Sequence, residues 1–402
     1  AFAAWLARAA ALDRAARAAE VANLPDGVFP LGPAVDRAQA SARTETCREV
    51  VLGQLRPPRP DAPAGGADAG RAATLHRALL ERATVPDRYS TASRALGLYP
   101  LLRWPFFAGV EGWQREQLAD MARWASAPPA LQAVVPPALA AGEGAAQRST
   151  DAASLPPPPP WPPARDALGL PQPTPSEARR LLAWHAPRFE LEVRGPFDRF
   201  GVPQWPDASD AGRPQVDTRR PVVYQRIGHM RLQGRWLLQL VYTVWFPERP
   251  ARSKVDLLAG ALDGVVVRLT LGDDGQPLLL DTIHACGCYH MFFPARALRA
   301  GAGAPTNEEW MFSPAALPPL AEHERLAVRI ASSSHYVNGV VAAARATTAG
   351  AAAPEHYELE EEQALRSLPS PRAPAPRRSL YGPDGLVAGS ERGERFLFWP
   401  MG

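Results

Sequence analysis

Residues 281–290 read DTIHACGCYH, which sets His284, Cys286, Cys288 and His290 at alternate positions. Imidazoles and thiolates are the ligands that zinc, copper and iron take, and a thiolate is also the nucleophile of thiol enzymes. The chain has 402 residues with only 8 histidines and 3 cysteines, so four within seven positions is a concentration that needs a reason. If residues 277–293 form one strand, side chains alternate between its faces and all four share one face. A straight strand cannot give all four to a single ion, because the outer two would lie about 20 Å apart at ~3.3 Å per residue. Either the chain bends at Gly287, or one adjacent pair combines with donors from elsewhere. His335, within SSSHYVNG, and His229 are the outside donors with suitable strand positions.

Three readings follow. In the first, the protein binds zinc, copper or iron through His284, Cys286, Cys288, His290 and His335, and in its fuller form is a metalloenzyme. In the second, it is a non-catalytic binding or structural module of the cell envelope, and these residues only pack; cysteine is among the most buried residue types. The third is a thiol-dependent enzyme with Cys288 as nucleophile and His335 as base. A Cys286–Cys288 disulfide needs a kink at Gly287, since alternate residues of a straight strand stand at the upper limit of the permitted Cα separation. The spacing is not that of a zinc finger, whose ligand pairs are two to four residues apart on a turn. No phosphate loop or nucleotide-cofactor motif occurs, and Ser332, Ser333 and Ser334 beside His335 do not form a hydrolase elbow. In WFPERP (245–250), Glu248 and Arg249 lie at a strand end, where a charged pair is either a site rim or a solvated turn.

The elements around this stretch divide the chain in three. Residues 1–126 read as helical: residues 3–22 carry Trp5, Ala9, Leu12, Ala16 and Ala19 on one stripe, and 71–83 and 112–126 show the same period. The aromatic segment 88–110 contains Pro100 and Pro105 and is expected to be a packed connector instead of a helix. Residues 127–175 contain five consecutive prolines (156–160) and are expected to link the two parts. Thr174-Pro175-Ser176-Glu177 is a capping box that opens a short helix.

The β-rich domain is expected to run from residue 176 to the end, and from residue 187 the period is two. RWLLQLVYTVWF (235–246) is apolar on both faces and should be a central, doubly covered strand. Gln233-Gly234 and GDDGQ (272–276) are hairpin signals on either side of VVVRLTL and PLLLDTIH. Few helices separate these strands, so the fold class is α+β: a helical N-terminal region followed by a mostly antiparallel β-sheet domain. The terminal RFLFWP (395–400) reads as a strand, and the domain is expected to continue past it.

Lys254 is the one lysine among many arginines, and isoleucine and asparagine occur three times each, the bias of a bacterial genome rich in G and C. Net charge is +3 with arginines interleaved among acids, which argues against a nucleic-acid partner. No window is apolar enough to span a membrane. The start without methionine is read as a removed export signal, with a periplasmic location and a lipid anchor at the N-terminus; a cytoplasmic location is the alternative. The expected partner is a small molecule or an envelope component.

Overall fold

The computed structural model describes the chain except residues 1, 29, 33, 56–66, 84–98, 138–159, 207–212, 255, 299–310, 346–353, 372–375, 383–384, 388–389, 391 and 394–402. The expected strand at 395–400 lies outside the described residues. Among the described residues four helices come first: α1 (Phe2–Asn23), α2 (Arg37–Leu55), α3 (Ala67–Arg82) and α4 (Tyr99–Ser126). None of the described helices is long and apolar enough to cross a membrane. The connector expected at 88–110 is corrected over 99–110, because α4 begins at Tyr99; residues 88–98 of that expectation lie outside the described residues. Pro100 falls in the first turn, where an amide hydrogen has no intrahelical partner anyway, and only Pro105 lies inside the helix. Pro105 deprives the carbonyl of Leu101 of its bond, and Leu101 is exposed, so water can replace the lost donor.

Residues 132–135, within the segment expected to be a linker, form strand β1 (Gln132–Val135). Helix α5 (Pro175–His185) opens on the expected capping box: the Thr174 hydroxyl accepts from the Glu177 amide, and the Glu177 carboxylate accepts from the Thr174 amide. Such a cap contributes about 1 kcal/mol. Its apolar side, Leu181, Leu182 and Trp184, is buried.

Two main sheets follow. One is the antiparallel meander β5 (Val222–Leu232), β6 (Arg235–Arg249), β7 (Gly260–Leu271), β8 (Pro277–His284) and β9 (Met291–Pro294), with β13 (Glu358–Glu361) parallel to β5 at its edge. The other has the order β11 (Val337–Ala344), β10 (Glu324–Ile330), β2 (Arg188–Leu191), β1 and β12 (Glu355–His356). The β5–β6 turn is a tight one: Gln233 and Gly234 both take positive φ, 49° and 80°, as a two-residue hairpin requires. As its two-sided apolar pattern demands, β6 is central. Leu238, Leu240, Tyr242, Val244 and Phe246 share one cluster with Phe189, Val328 and Ile330 of the second sheet. On the opposite face, Trp245 packs with Val222, Tyr224 and Leu365. The two short ribbons, β3 (Val202–Gln204) with β4 (Gln215–Asp217) and β14 (Leu368–Pro369) with β15 (Arg377–Arg378), lie outside these sheets.

Candidate functional site

The strand expected over 277–293 is interrupted. β8 ends at His284 and the chain turns before β9 begins at Met291. The turn is closed twice: the Gly287 amide donates to the His284 carbonyl (2.8 Å), and the His284 amide donates to the Cys288 carbonyl (3.0 Å). Gly287 sits at φ 88°, a conformation that costs glycine nothing, and Tyr289 follows at φ 60°. The bend at Gly287 is therefore the one of the two sequence alternatives that the backbone takes.

Register then decides which side chains meet. Val265 of β7 is opposite His284, and Phe246 of β6 is opposite Asp263, so Asp263, Val265 and His284 share the face that looks toward the second sheet. Asp263 is 1% exposed and takes three donors. Its Oδ1 accepts from Nδ1 of His284 (3.2 Å) and from Nη2 of Arg392 (2.8 Å), and its Oδ2 accepts from Nδ1 of His335 (2.8 Å). Burial alone would push this carboxyl up, but His284 and His335 outweigh it and hold it well below the usual carboxylate range.

The two histidines have different duties. His335 stacks flat on Phe246 (3.9 Å, 8°), and its Nε2 donates to the Phe197 carbonyl (3.1 Å). Both its nitrogens are engaged by oxygen atoms of the protein. It sits at φ 53° in a turn whose Ser332 hydroxyl and Ser333 amide donate to Asp198 at 2.8 and 2.7 Å. A left-handed backbone at a side-chain-bearing residue costs on the order of 1 kcal/mol, and here it is held by those bonds. His284 is as deeply buried, yet its Nε2 has no hydrogen-bond partner. With Nδ1 on the carboxylate, Nε2 is the ring nitrogen left without a hydrogen-bond partner.

The thiols meet beside it. Cys288 is hydrogen-bonded to the Cys286 sulfur, and this contact lowers the Cys286 pKa to about 6; burial opposes the effect, while His284 and the Cys288 amide add to it. Both cysteines are half-buried, and Cys47 of α2, the third, is exposed and far off in the helical region.

Around the turn stands an aromatic and cationic wall. Arg249 is 3% exposed; its Nη2 donates to the Tyr336 hydroxyl (2.9 Å), and its guanidinium lies over the rings of Tyr289 (5.2 Å) and Tyr336 (4.9 Å). Trp113 of α4 packs on Tyr289 and Tyr336 from the helical side (5.2 and 5.8 Å). His284 touches the same two tyrosines edge-on.

Of the residues singled out by sequence, His284, Cys286 and Cys288 are gathered on one turn, and His335 is tied to them through Asp263. His290 is not: it lies on the other face of the sheet, with its Nε2 3.0 Å from Asp281 and 2.9 Å from Arg268. His229 is also elsewhere, bonded to the Pro171 carbonyl (2.8 Å). Arg249 is a buried part of the site, while its neighbour Glu248 is exposed. Asp263, Arg392, Asp198, Tyr289, Tyr336 and Trp113 were not anticipated. Only Asp263 left a sequence signal, an acid inside the apolar run GALDGVVV. No family model, no curated protein and no solved structure matches this chain. The reading of the site therefore rests on its own chemistry. Among the described residues no three His, Cys, Asp or Glu side chains converge as a metal-binding set. What the turn offers instead is a thiolate near neutral pH, a second thiol against it, and an imidazole oriented by a carboxylate.

Proposed function

We propose that the protein is a thiol-dependent enzyme whose nucleophile is Cys286, with Cys288 as its donor and the Asp263–His284 pair as the orienting base. The observation that carries this reading is the turn at Gly287, which brings Cys288 into a hydrogen bond with Cys286 two residues from the buried His284. The thiol alternative drawn from the sequence named Cys288, with His335 as base. His335 has both nitrogens engaged, and the sulfur that receives hydrogen bonds is that of Cys286, so the roles move to Cys286 and His284. A hydrogen bond donated to a sulfur favours its charged form, which is the reactive one. Arg249 and its tyrosines supply the wall against which a substrate would lie.

The test is alkylation. In a Cys47→Ser background, the rate of Cys286 modification by iodoacetamide is followed against pH, with the modified peptide identified by mass. The expected half-point is near 6, the value set by the Cys288 contact. Cys288→Ser and His284→Gln should each raise it. A half-point at about 8.5, that of an ordinary thiol, in the otherwise unaltered protein would overturn the proposal.

A second reading, zinc, copper or iron at this turn, is favoured by one observation. A histidine with Nδ1 on a carboxylate and a free Nε2 is the arrangement that metal-bound histidines adopt. Elemental analysis of purified protein beside Cys286→Ser and Cys288→Ser decides it. Near-stoichiometric metal that disappears in both variants would establish the metal reading in place of the thiol one.

A further inference from the structure

We infer that Cys286 and Cys288 form a two-electron dithiol–disulfide couple and that the substrates of this site are disulfides. This rests on the thiol reading above and names its chemistry. The argument is geometric. In an extended strand, alternate residues stand about 6.6 Å apart, near the far limit for a disulfide, and their thiols follow the strand without converging. Here Gly287 at φ 88° and the two closing hydrogen bonds fold the chain back, so that Cys286 and Cys288 flank the reversal and Cys288 is hydrogen-bonded to Cys286. Forming the bond therefore needs no rearrangement of the sheet.

Access is the second half of the argument. Ala285 and Gly287 at the tip of the turn are exposed, and a Cβ placed on Gly287 would meet nothing within 4 Å. Cys286 and Cys288, on either side of Gly287, are themselves half-buried. Nothing else at this site would require two thiols: one nucleophile and one oriented imidazole suffice for acyl or alkyl transfer.

The steps balance as follows. The Cys286 thiolate attacks one sulfur of the substrate R–S–S–R′, the S–S bond breaks, and R′S⁻ leaves. Cys286 is then joined to R in a mixed disulfide. The Cys288 sulfur attacks the Cys286 sulfur, its proton passes to the departing group, and RSH leaves. The dithiol has lost two electrons to the substrate disulfide, which is reduced to one thiolate and one thiol. Run backwards, the same pair would oxidise a substrate dithiol.

The experiment uses the full chain in the Cys47→Ser background, reduced and then exposed to glutathione disulfide at neutral pH, with acid quenching and peptide mass analysis. The expected product is a 286–288 disulfide, seen as the loss of two hydrogens from the peptide holding the turn. Cys288→Ser should accumulate the Cys286–glutathione adduct, because the resolving thiol is gone. Cys286→Ser should form its Cys288 adduct more slowly, by tenfold or so for a thiol without the activating contact. Two results overturn the inference. If the Cys47→Ser protein stops at the glutathione adduct while Cys286 still alkylates with a half-point near 6, the couple is wrong and the thiol enzyme stands. If neither reaction occurs, both readings fall.

Discussion

His284 and His335 share one carboxylate. Asp263 holds the first by Oδ1 at 3.2 Å and the second by Oδ2 at 2.8 Å, so the turn after β8 and the turn between β10 and β11 are fixed to the same buried charge. Arg392 adds a third donor from near the C-terminal end of the described chain, at 2.8 Å. The turn at Gly287 is thus positioned from both sheets and from a segment outside them.

Asp263→Asn removes an acceptor and leaves Arg392 and the histidines around a neutral group. Breaking a buried charge network by removing one partner costs about 3–5 kcal/mol, and urea unfolding at neutral pH should show a loss of that size. The acid limb supplies a second check. The folded carboxyl is held below its unfolded value of about 3.9, so its contribution is complete above that pH and is lost as the pH falls through the folded value. The gap between the parent protein and Asp263→Asn should narrow below about pH 4 and hold constant above it.

The Cys286 thiol acts by the same linkage at higher pH. Its folded pKa of about 6 is below the unfolded one, so it stabilises the protein fully above about 8.5 and loses that effect as the pH falls through 6. Stability should therefore rise with pH across this interval in a Cys47→Ser protein. The rise should flatten when Cys286→Ser is added, and parallel unfolding curves at pH 5.5 and 9 would contradict it.

The turn approaches β7 closely at Gly264. The Ala285 amide donates to the Gly264 carbonyl at 2.8 Å, and a Cβ on Gly264 would lie 2.8 Å from the Ala285 Cβ and 3.0 Å from the Trp245 ring. Gly264→Ala must push the turn away, at a cost of about 1–3 kcal/mol for an overpacked contact. The alkylation half-point of Cys286 should then move up, because the contact with Cys288 depends on the turn. Adding Ala285→Gly removes the nearer clash and should recover part of both losses. No recovery would mean that the Trp245 contact, not the turn, dominates.

Much of the β domain was legible because its strands obey a simple rule. A run apolar on both faces, as in β6, must be central, and Gln233-Gly234 can only be a hairpin turn. The local cap at Thr174 was equally readable. The helical region was less so, because proline was given more weight than position: Pro100 falls in the first turn, where it does no harm, and α4 runs on through Pro105. α2 lies within the region read as helical but its bounds were not picked out; its apolar residues are scattered, and only Ala40 and Leu55 among them are buried. At the candidate site, residue type singled out the turn on which the proposal rests, but alternation alone misled. Once Gly287 reverses the chain, strand parity no longer applies, and His290 emerges on the far face beside Asp281. Asp263 and Arg392 could not be paired in advance, since their contact comes from tertiary folding across 129 residues.

α4 meets the site through Trp113, and what fixes the helix there is Gln117. This side chain is 2% exposed, and its Nε2 donates to Asn338 Oδ1 (2.7 Å) and to the Val337 carbonyl (3.0 Å) at the start of β11. Gln117→Ala leaves both acceptors buried and unpaired, which costs about 1–3 kcal/mol each way the group is counted. Gln117→Leu should cost no less, because it fills the space but cannot donate. The loss should be local: α4 should become the earliest site of proteolysis, and Trp113 emission should shift red as its ring leaves Tyr289 and Tyr336. Global unfolding of the sheets, followed by a probe on β6, should change little. If both signals move together in Gln117→Ala, the helix and the sheets unfold as one unit and Gln117 is not a separate latch.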